Sequence, residues 1–452
     1  MIGVCGTAMG AVAAALKSQG HLVSGSDEKV YPPMSTFLEE SGISVMEGYV
    51  PQNLPDDLDV VVVGNAISRG NAELEEVLNR RLYYTSLPEI VKEHFLRGRR
   101  NLVISGTHGK TTTTAMATWI LEKAGANPSF LIGGIPTNFD RGARFTDSDF
   151  VVLEGDEYDT AYFDKRSKFL HYLPEVVVIN NIEFDHADIY SSLEEIMLSF
   201  RRLLKLPPSS GRVFINGDDV NCLDVAEECM APVVRVGFGE ACDERIEDVI
   251  YEPDRSIFSI KGERFEIPMV GEFNVRNAAM AACASRFFGL SDEQTGVGLR
   301  SFEGIARRQQ VRGEIRGIAI IDDFAHHPTA IRMAVPAIRQ RFPDRRVWAV
   351  FEPRSNTTRR NIFQDELPAA LGVADAVILG VVARAEQLPE SERLDVGEVV
   401  GAIRDAGTPA FVGQDADAIV RILQEEVVAG DVIAIFSNGG FGGLHGKLLS
   451  EL

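Results

Sequence analysis

Residues 101–114, NLVISGTHGKTTTT, limit what this 452-residue chain can fold into more than any other stretch. Leu102, Val103 and Ile104 form the short apolar run of a buried strand. Gly106 and Gly109 bracket a tight turn, Lys110 and four threonines follow, and residues 115–125 carry helical apolar spacing. Strand, glycine loop, lysine, hydroxyl and helix make a phosphate cradle. The loop amides and the helix N-terminus favour an anion, the lysine adds a point charge, and a threonine hydroxyl serves Mg²⁺. The glycine spacing is shortened, because Ile104 stands five residues before Gly109 where the usual pattern has its first glycine; the motif is GxxGK[ST]. A plain helix-capping turn with a solvated lysine is the competing reading. It leaves the coincidence of strand, loop and helix unexplained.

A chain of this length holds roughly three domains. Its hydrophobic share of 45% and charged share of 25% are those of an ordinary water-soluble protein. The net charge of −21 excludes a global basic footprint, so no nucleic-acid partner is expected. An anionic nucleotide must then be held by local lysines, amides and metal. Cys5, Cys222, Cys229, Cys242 and Cys283 form no CxxC pair, which fits reduced thiols. No leader-like segment and no membrane-span run is present, so a cytoplasmic location is expected.

The order of elements reads as α/β throughout. Residues 1–10, MIGVCGTAMG, place Gly3, Gly6 and Gly10 before a helix over 11–19, and a second strand over 21–23 leads to Ser26 and Asp27. That is the opening of a Rossmann half, with an acid roughly twenty residues after the turn, although the glycine spacing departs from GxGxxG. The first strand is very short. A buried strand over 57–64 ends in Asn65 and Ala66, at the edge where open parallel sheets take ligands. Asp27 and Asn65 read equally well as turn or cap residues. The basic RGRR at 97–100 marks a first boundary.

Past the loop helix, strands are expected over 130–134 and 149–154. Glu154 closes the latter and opens EGDEYD. Four acids in six residues repel one another unless they face water or a cation. Glu154, at the strand end, is the Mg²⁺ candidate; Asp156, Glu157 and Asp159 read equally well as a solvated loop. A strand over 175–180 delivers Asn181, Glu183, Asp185, His186 and Asp188, a second possible metal corner. Mg²⁺ prefers oxygen ligands, which leaves His186 open between a metal role and a polar network. A helix over 271–285 carries Asn274 and Asn277, poor helix-interior residues that imply polar work. A second boundary falls near Gln310. The last part has strands over 318–321, 347–351, 376–379 and 431–436, again with polar residues at their ends: Asp322 and Asp323, then Arg354, Ser355 and Asn356, then SNGGFGG at 437–443.

In this order, GTHGKTTT, a Glu at the next strand end, NxExDHxD, GxxNxxNA, the pair Arg307 and Arg308, and DDxAHHP resemble the Mur ligases of bacterial cell-wall synthesis. The resemblance covers the whole chain. It implies a Rossmann-like domain for the UDP-sugar at 1–97, a central P-loop ATPase-like domain at 98–310, and a Rossmann-like peptide-binding domain at 311–452. It also implies site roles. The ATP loop would be Gly106, Thr107, His108, Gly109, Lys110, Thr111 and Thr112, with Asn277 at adenine and Arg308 and Asp323 completing the nucleotide site. Lys110, Thr111, Glu154 and His186 would form the catalytic set, with Thr111, Glu154 and His186 on Mg²⁺. Gly6, Thr7, Met9, Asp27, Asn65 and Ala66 would line the UDP pocket.

Within the family, VYPPMS (30–35), GNAISRGN (64–71), YDTAYFDKRSKF (158–169), EPRSNT (352–357) and SNGGFGG resemble the branch that joins a preformed murein tripeptide to UDP-N-acetylmuramate. Arg354, Ser355 and Asn356 would meet the tripeptide's diaminopimelate end. The implied chemistry uses ATP to convert the sugar's carboxylate to an acyl phosphate, which the tripeptide amine attacks. The base for that amine is open among His186, His326 and His327. Two departures stand out: Gly155 replaces an alanine common in relatives, a change expected to be harmless, and residues 198–202 (LSFRR) lack the lysine that several relatives carbamylate. The same chemistry with L-alanine as acceptor is the alternative, and a non-catalytic nucleotide sensor a remote one. A monomer or weak homo-oligomer is expected.

Overall fold

A computed structural model describes residues 1–452, and the chain divides into two compact units. The first comprises 1–183, 193–246 and 277–299; the second comprises 184–192, 247–276 and 300–452.

The first unit opens on a small parallel sheet. The parallel strands Ser24–Asp27 and Ser44–Glu47 form one pair, Val61–Val63 and Tyr84–Ser86 the other. Ile2 bridges the two through Ser26 and Val63. The first strand is thus a single bridging residue, consistent with its shortness in the sequence. The second strand lies at Ser24–Asp27 rather than 21–23, where Leu22 is fully exposed. Ile2, Val61, Val63, Leu74 and Val77 are buried together, and Val4, Ala13, Leu38 and Ile43 form a second cluster.

The larger sheet of this unit runs Val233–Gly237, Arg212–Asn216, Val176–Ile179, Arg100–Ser105, Phe150–Glu154, Ser129–Leu131, Ala143–Arg144. All neighbours are parallel except the last pair. Its central strands are continuous apolar runs because both faces are covered; every residue of Val176–Ile179 is buried. The helix Lys110–Lys123 starts five residues earlier than its apolar pattern, taking in all four threonines, each of them buried. Its neighbour Asp292–Arg300 comes close at Gly298, where a Cβ would stand 2.7 Å from the Ile120 Cα. At Gly155 a Cβ would lie 2.8 Å from Val103 Cγ1 and 3.1 Å from Ser105 Cβ. An alanine there would press on the Val103 side chain of the neighbouring strand.

The second unit is built on a six-stranded sheet, in the order Gln310–Ile315, Ile318–Asp323, Val432–Phe436, Val347–Phe351, Ala376–Gly380, Ala410–Gly413. The first pair is antiparallel and the rest parallel. Alternate residues serve opposite faces: Val347, Ala349 and Phe351 join one core, Trp348 and Val350 the other. That two-sided burial is the mark of a doubly wound sheet. Gln310–Ile315 was not foreseen as a strand, since its alternating polar residues suit a half-exposed edge. The strands Ser256–Ile260 and Glu263–Ile267 form an antiparallel hairpin. No helix is long and apolar enough to cross a membrane.

Candidate active site

The strand Arg100–Ser105 ends at Gly106, whose φ of +126° and crowding against Asn180 and Asn181 backbone admit only glycine. The loop is then stitched to the chain beyond the neighbouring strand. Thr107 N donates to Asn181 O (3.0 Å), His108 N to Asn181 Oδ1 (2.8 Å), and Glu183 N to Thr107 Oγ1 (2.8 Å). His108 Nε2 lies 3.0 Å from Glu183 Oε2. Gly109 has φ +81°, and a Cβ on it would sit 2.5 Å from Asn277 Oδ1. Asn277 therefore closes directly on the loop, and helix Lys110–Lys123 begins with its first-turn amides, including those of Thr111 and Thr112, facing the loop.

Lys110 Nζ donates to Gly106 O (2.7 Å) and Glu157 Oε1 (2.9 Å); the two side chains are only 13% and 2% exposed. Burial alone would lower the lysine's pKa, but Glu157, Asp156 and Glu154 raise it, so it stays an ammonium. Glu157, which the sequence left as a possible solvated acid, is thus the buried counter-ion of the loop lysine. Glu154 Oε1 accepts from Thr111 Oγ1 (3.0 Å) and Oε2 from Gly133 N (2.6 Å). Burial still pushes its pKa up, against the pull of Lys110 and these donors. A hydroxyl and an adjacent carboxylate short of positive charge are an all-oxygen donor set, the chemistry a hard divalent cation satisfies.

Gly6, Thr7, Met9, Asp27, Asn65 and Ala66 line one cavity of about 1000 Å³, and the same cavity reaches Glu154 and Asp156. Asp27 is fixed by Cys5 N (2.9 Å) and Lys29 N (3.1 Å). Asn65 and Ala66 stand exposed just past the strand Val61–Val63.

The remaining candidates belong to the second unit. His186 has φ +57° and donates its N–H to Asp185 Oδ1 (2.7 Å). Asp185 also accepts from Thr357 Oγ1 (2.6 Å) and lies 3.6 Å from His326 Nε2. Burial would raise this carboxyl, yet His326, His186 and His327 hold it well below the usual range. The contact between Asp185, named above as part of a possible metal corner, and Thr357 was not foreseen, although both sit inside quoted motifs; their 172-residue separation hid it. Asp323 accepts from Gln309 N (2.9 Å) and Ala325 N (2.7 Å), and burial pushes it up. Arg308 stacks on Phe324 at 5.1 Å.

In the EPRSNT loop, Ser355 Oγ pairs with Thr358 Oγ1 (2.8 Å), and Asn356 bridges Asp188 (2.9 Å) and Arg359 (3.0 Å). Arg354 is held loosely, 3.5 Å from Glu352 and 37% exposed, and it passes over Gly439, where a Cβ would meet its Nε at 2.1 Å. Glu352 is itself hydrogen-bonded by Ser437 Oγ.

The chain belongs to the Mur ligase family. The family's catalytic domain matches residues 1–99, its middle domain 104–285 and its glutamate ligase domain 307–439. The chain is 41% identical over its whole length, and over 97% of the relative, to the UDP-N-acetylmuramate–L-alanyl-γ-D-glutamyl-meso-2,6-diaminoheptandioate ligase of Escherichia coli strain K12. The Haemophilus influenzae enzyme of the same name is 42% identical, covering 100% of this chain and 98% of that one. Among solved structures, a murein peptide ligase from Psychrobacter arcticus superposes with a TM-score of 0.71 at 35% identity, covering 99% and 97% of the two chains.

Proposed function

We propose that this protein is an ATP-dependent amide ligase that joins L-alanyl-γ-D-glutamyl-meso-diaminopimelate to UDP-N-acetylmuramate in peptidoglycan recycling. The observation that carries the reading is the single cavity running from Gly6, Thr7 and Asp27 to Glu154, which is itself bonded to the Thr111 of the phosphate loop. A nucleotide sugar lying along it presents its acid end to the ATP site. Full-length relatives of the same printed activity support the choice of substrates.

In this reading Gly106–Thr112 amides and Lys110 hold the ATP phosphates, while Asn277, Arg308 and Asp323 complete the nucleotide site. Thr111 and Glu154, with His186, would hold Mg²⁺, which when bound neutralises phosphate charge. The lactyl carboxylate oxygen attacks the γ-phosphorus and ADP leaves. The tripeptide's amine nitrogen then attacks the acyl carbon, its proton passes to a base among His186, His326 and His327, and the C–O bond to phosphate breaks. Lys110 contributes a fixed positive charge, and the loop fixes the approach. Arg354 meets the diaminopimelate carboxylate, with Ser355 and Asn356 shaping its loop. Domain limits at 97 and 310, a cytoplasmic location and a monomer or weak homo-oligomer complete the proposal. The test is coupled ADP release with UDP-N-acetylmuramate against L-alanine, dipeptide, tripeptide and tetrapeptide. Release dependent on the tripeptide is expected; preference for L-alanine would overturn the acceptor, and no ADP with any of them would overturn the ligase reading.

A further inference from the structure

The cavity shared by the UDP-pocket residues and Glu154 has three basic side chains on its wall: Lys29, Arg141 and Lys168. Lys29 and Arg141 are exposed. Lys168 is only 21% exposed, and it is anchored twice: its N–H donates to Tyr158 O (3.0 Å), and its Nζ donates to Asp156 Oδ2 (2.6 Å). The ammonium also lies 5.8 Å from the Tyr158 ring centroid. Lys168 opens the short 3-10 turn Lys168–His171, and Tyr172 immediately after that turn is on the same wall. Lys29 lies two residues past Asp27, while the exposed Arg141 adjoins Gly142, which is hydrogen-bonded by Ile132 N in the turn whose Gly133 N bonds Glu154; neither is anchored as Lys168 is by Tyr158 and Asp156. Lys168 belongs with Glu154 and Asp156.

An acid substrate that reaches this end meets Glu154 and Asp156, two carboxylates that would repel it. Lys110 is not on the cavity wall and is engaged by Gly106 O and Glu157. An ammonium has three donors, and one contact to Asp156 leaves donors to offer the cavity. We infer that Lys168 is the group that recognises the carboxylate of the nucleotide-sugar acid, positioning it beside Glu154 for phosphoryl transfer. The inference rests on the ligase reading. In it, Asp156 holds the ammonium in place in the free protein and gives way in part to the substrate.

The test compares binding of UDP-N-acetylmuramate with binding of UDP-N-acetylglucosamine, the same nucleotide sugar lacking the carboxyl-bearing ether. Wild-type protein, K168M, D156N and K168M/D156N are titrated with each by calorimetry, with thermal melts as the fold control. The double variant removes the pair together, so no unpaired carboxylate remains at Asp156. Expected is a loss of about tenfold or more for the acid in both Lys168 variants, as for other hydrogen bonds to charged groups, with less than about twofold change for the neutral sugar. D156N should keep the preference for the acid. Equal weakening of both sugars, or a D156N effect equal to that of K168M, would make Lys168 a structural anchor for Asp156 and overturn the inference. Unchanged acid binding in the Lys168 variants would overturn it too. Failure of the wild type to release ADP with the acid and tripeptide would instead overturn the ligase reading.

Discussion

Lys110 and Arg354 each follow a strand tip and each face a carboxylate, yet they are held in opposite ways. Lys110 is 13% exposed, bonded at 2.7 Å to a carbonyl and at 2.9 Å to Glu157. Arg354 is 37% exposed, and its nearest carboxylate oxygen is 3.5 Å away. The first is a charge fixed before any ligand arrives, which suits electrostatic stabilisation of a phosphoryl group. The second is a fork with capacity to spare, which suits recognition of an incoming carboxylate. On the proposed function, activation of the acid falls to the first unit, and choice of the partner to an adjustable side chain in the second.

The sharpest way to break this contrast is at Lys110. K110A should abolish ligation, by about 10³-fold or more. It should also unfold more easily, because removing one member of a buried pair costs about 3–5 kcal/mol. K110M/E157Q should recover much of that stability in a thermal melt and none of the activity. Activity returning with stability would show that Lys110 only neutralises Glu157.

At Arg354 the expected effect is smaller and one-sided. R354A should raise the KM for tripeptide roughly 10- to 100-fold, the loss of one hydrogen bond to a charged group. Its effect on UDP-N-acetylmuramate binding should be slight. Equal losses for both substrates, read from initial rates, would remove Arg354 from peptide recognition.

The least effect belongs to the scaffold beneath Arg354. Asp431 accepts from Arg346 (2.9 and 2.6 Å), Trp348 Nε1 (3.1 Å) and Val428 N (3.0 Å). Burial would raise its carboxyl, but Arg346 and these donors hold it below the ordinary value. Its stabilisation is therefore complete above the unfolded pKa of about 3.9 and is lost as pH falls through the folded value. D431N should lower the melting temperature at pH 7 by the few degrees that about 1.5–3 kcal/mol implies. The gap to wild type should close below about pH 4. A constant gap across that range would assign the effect to packing.

The phosphate loop was legible because glycines, lysine and hydroxyls are contiguous and their geometry is local. The same holds for Glu154, fixed by its position at a strand end. What the sequence concealed was pairing. EGDEYD reads as four acids in repulsion, yet Glu157 is taken by Lys110, 47 residues away, and Asp156 by Lys168, 12 residues away. Asp185 and Thr357 meet across a far longer span. Such contacts follow from which strands adjoin, which spacing does not encode. The strand Gln310–Ile315 went unseen for another reason: one of its neighbours is solvent, so its pattern is mostly polar.

The central claim is that the sugar's carboxylate becomes an acyl phosphate before the amide forms. It is tested by labelling both oxygens of the UDP-N-acetylmuramate carboxyl with ¹⁸O and weighing the released phosphate after one turnover with ATP and tripeptide. The account predicts one ¹⁸O in each phosphate, because the oxygen that attacks phosphorus departs with it. Phosphate free of label, with amide formed, would contradict it.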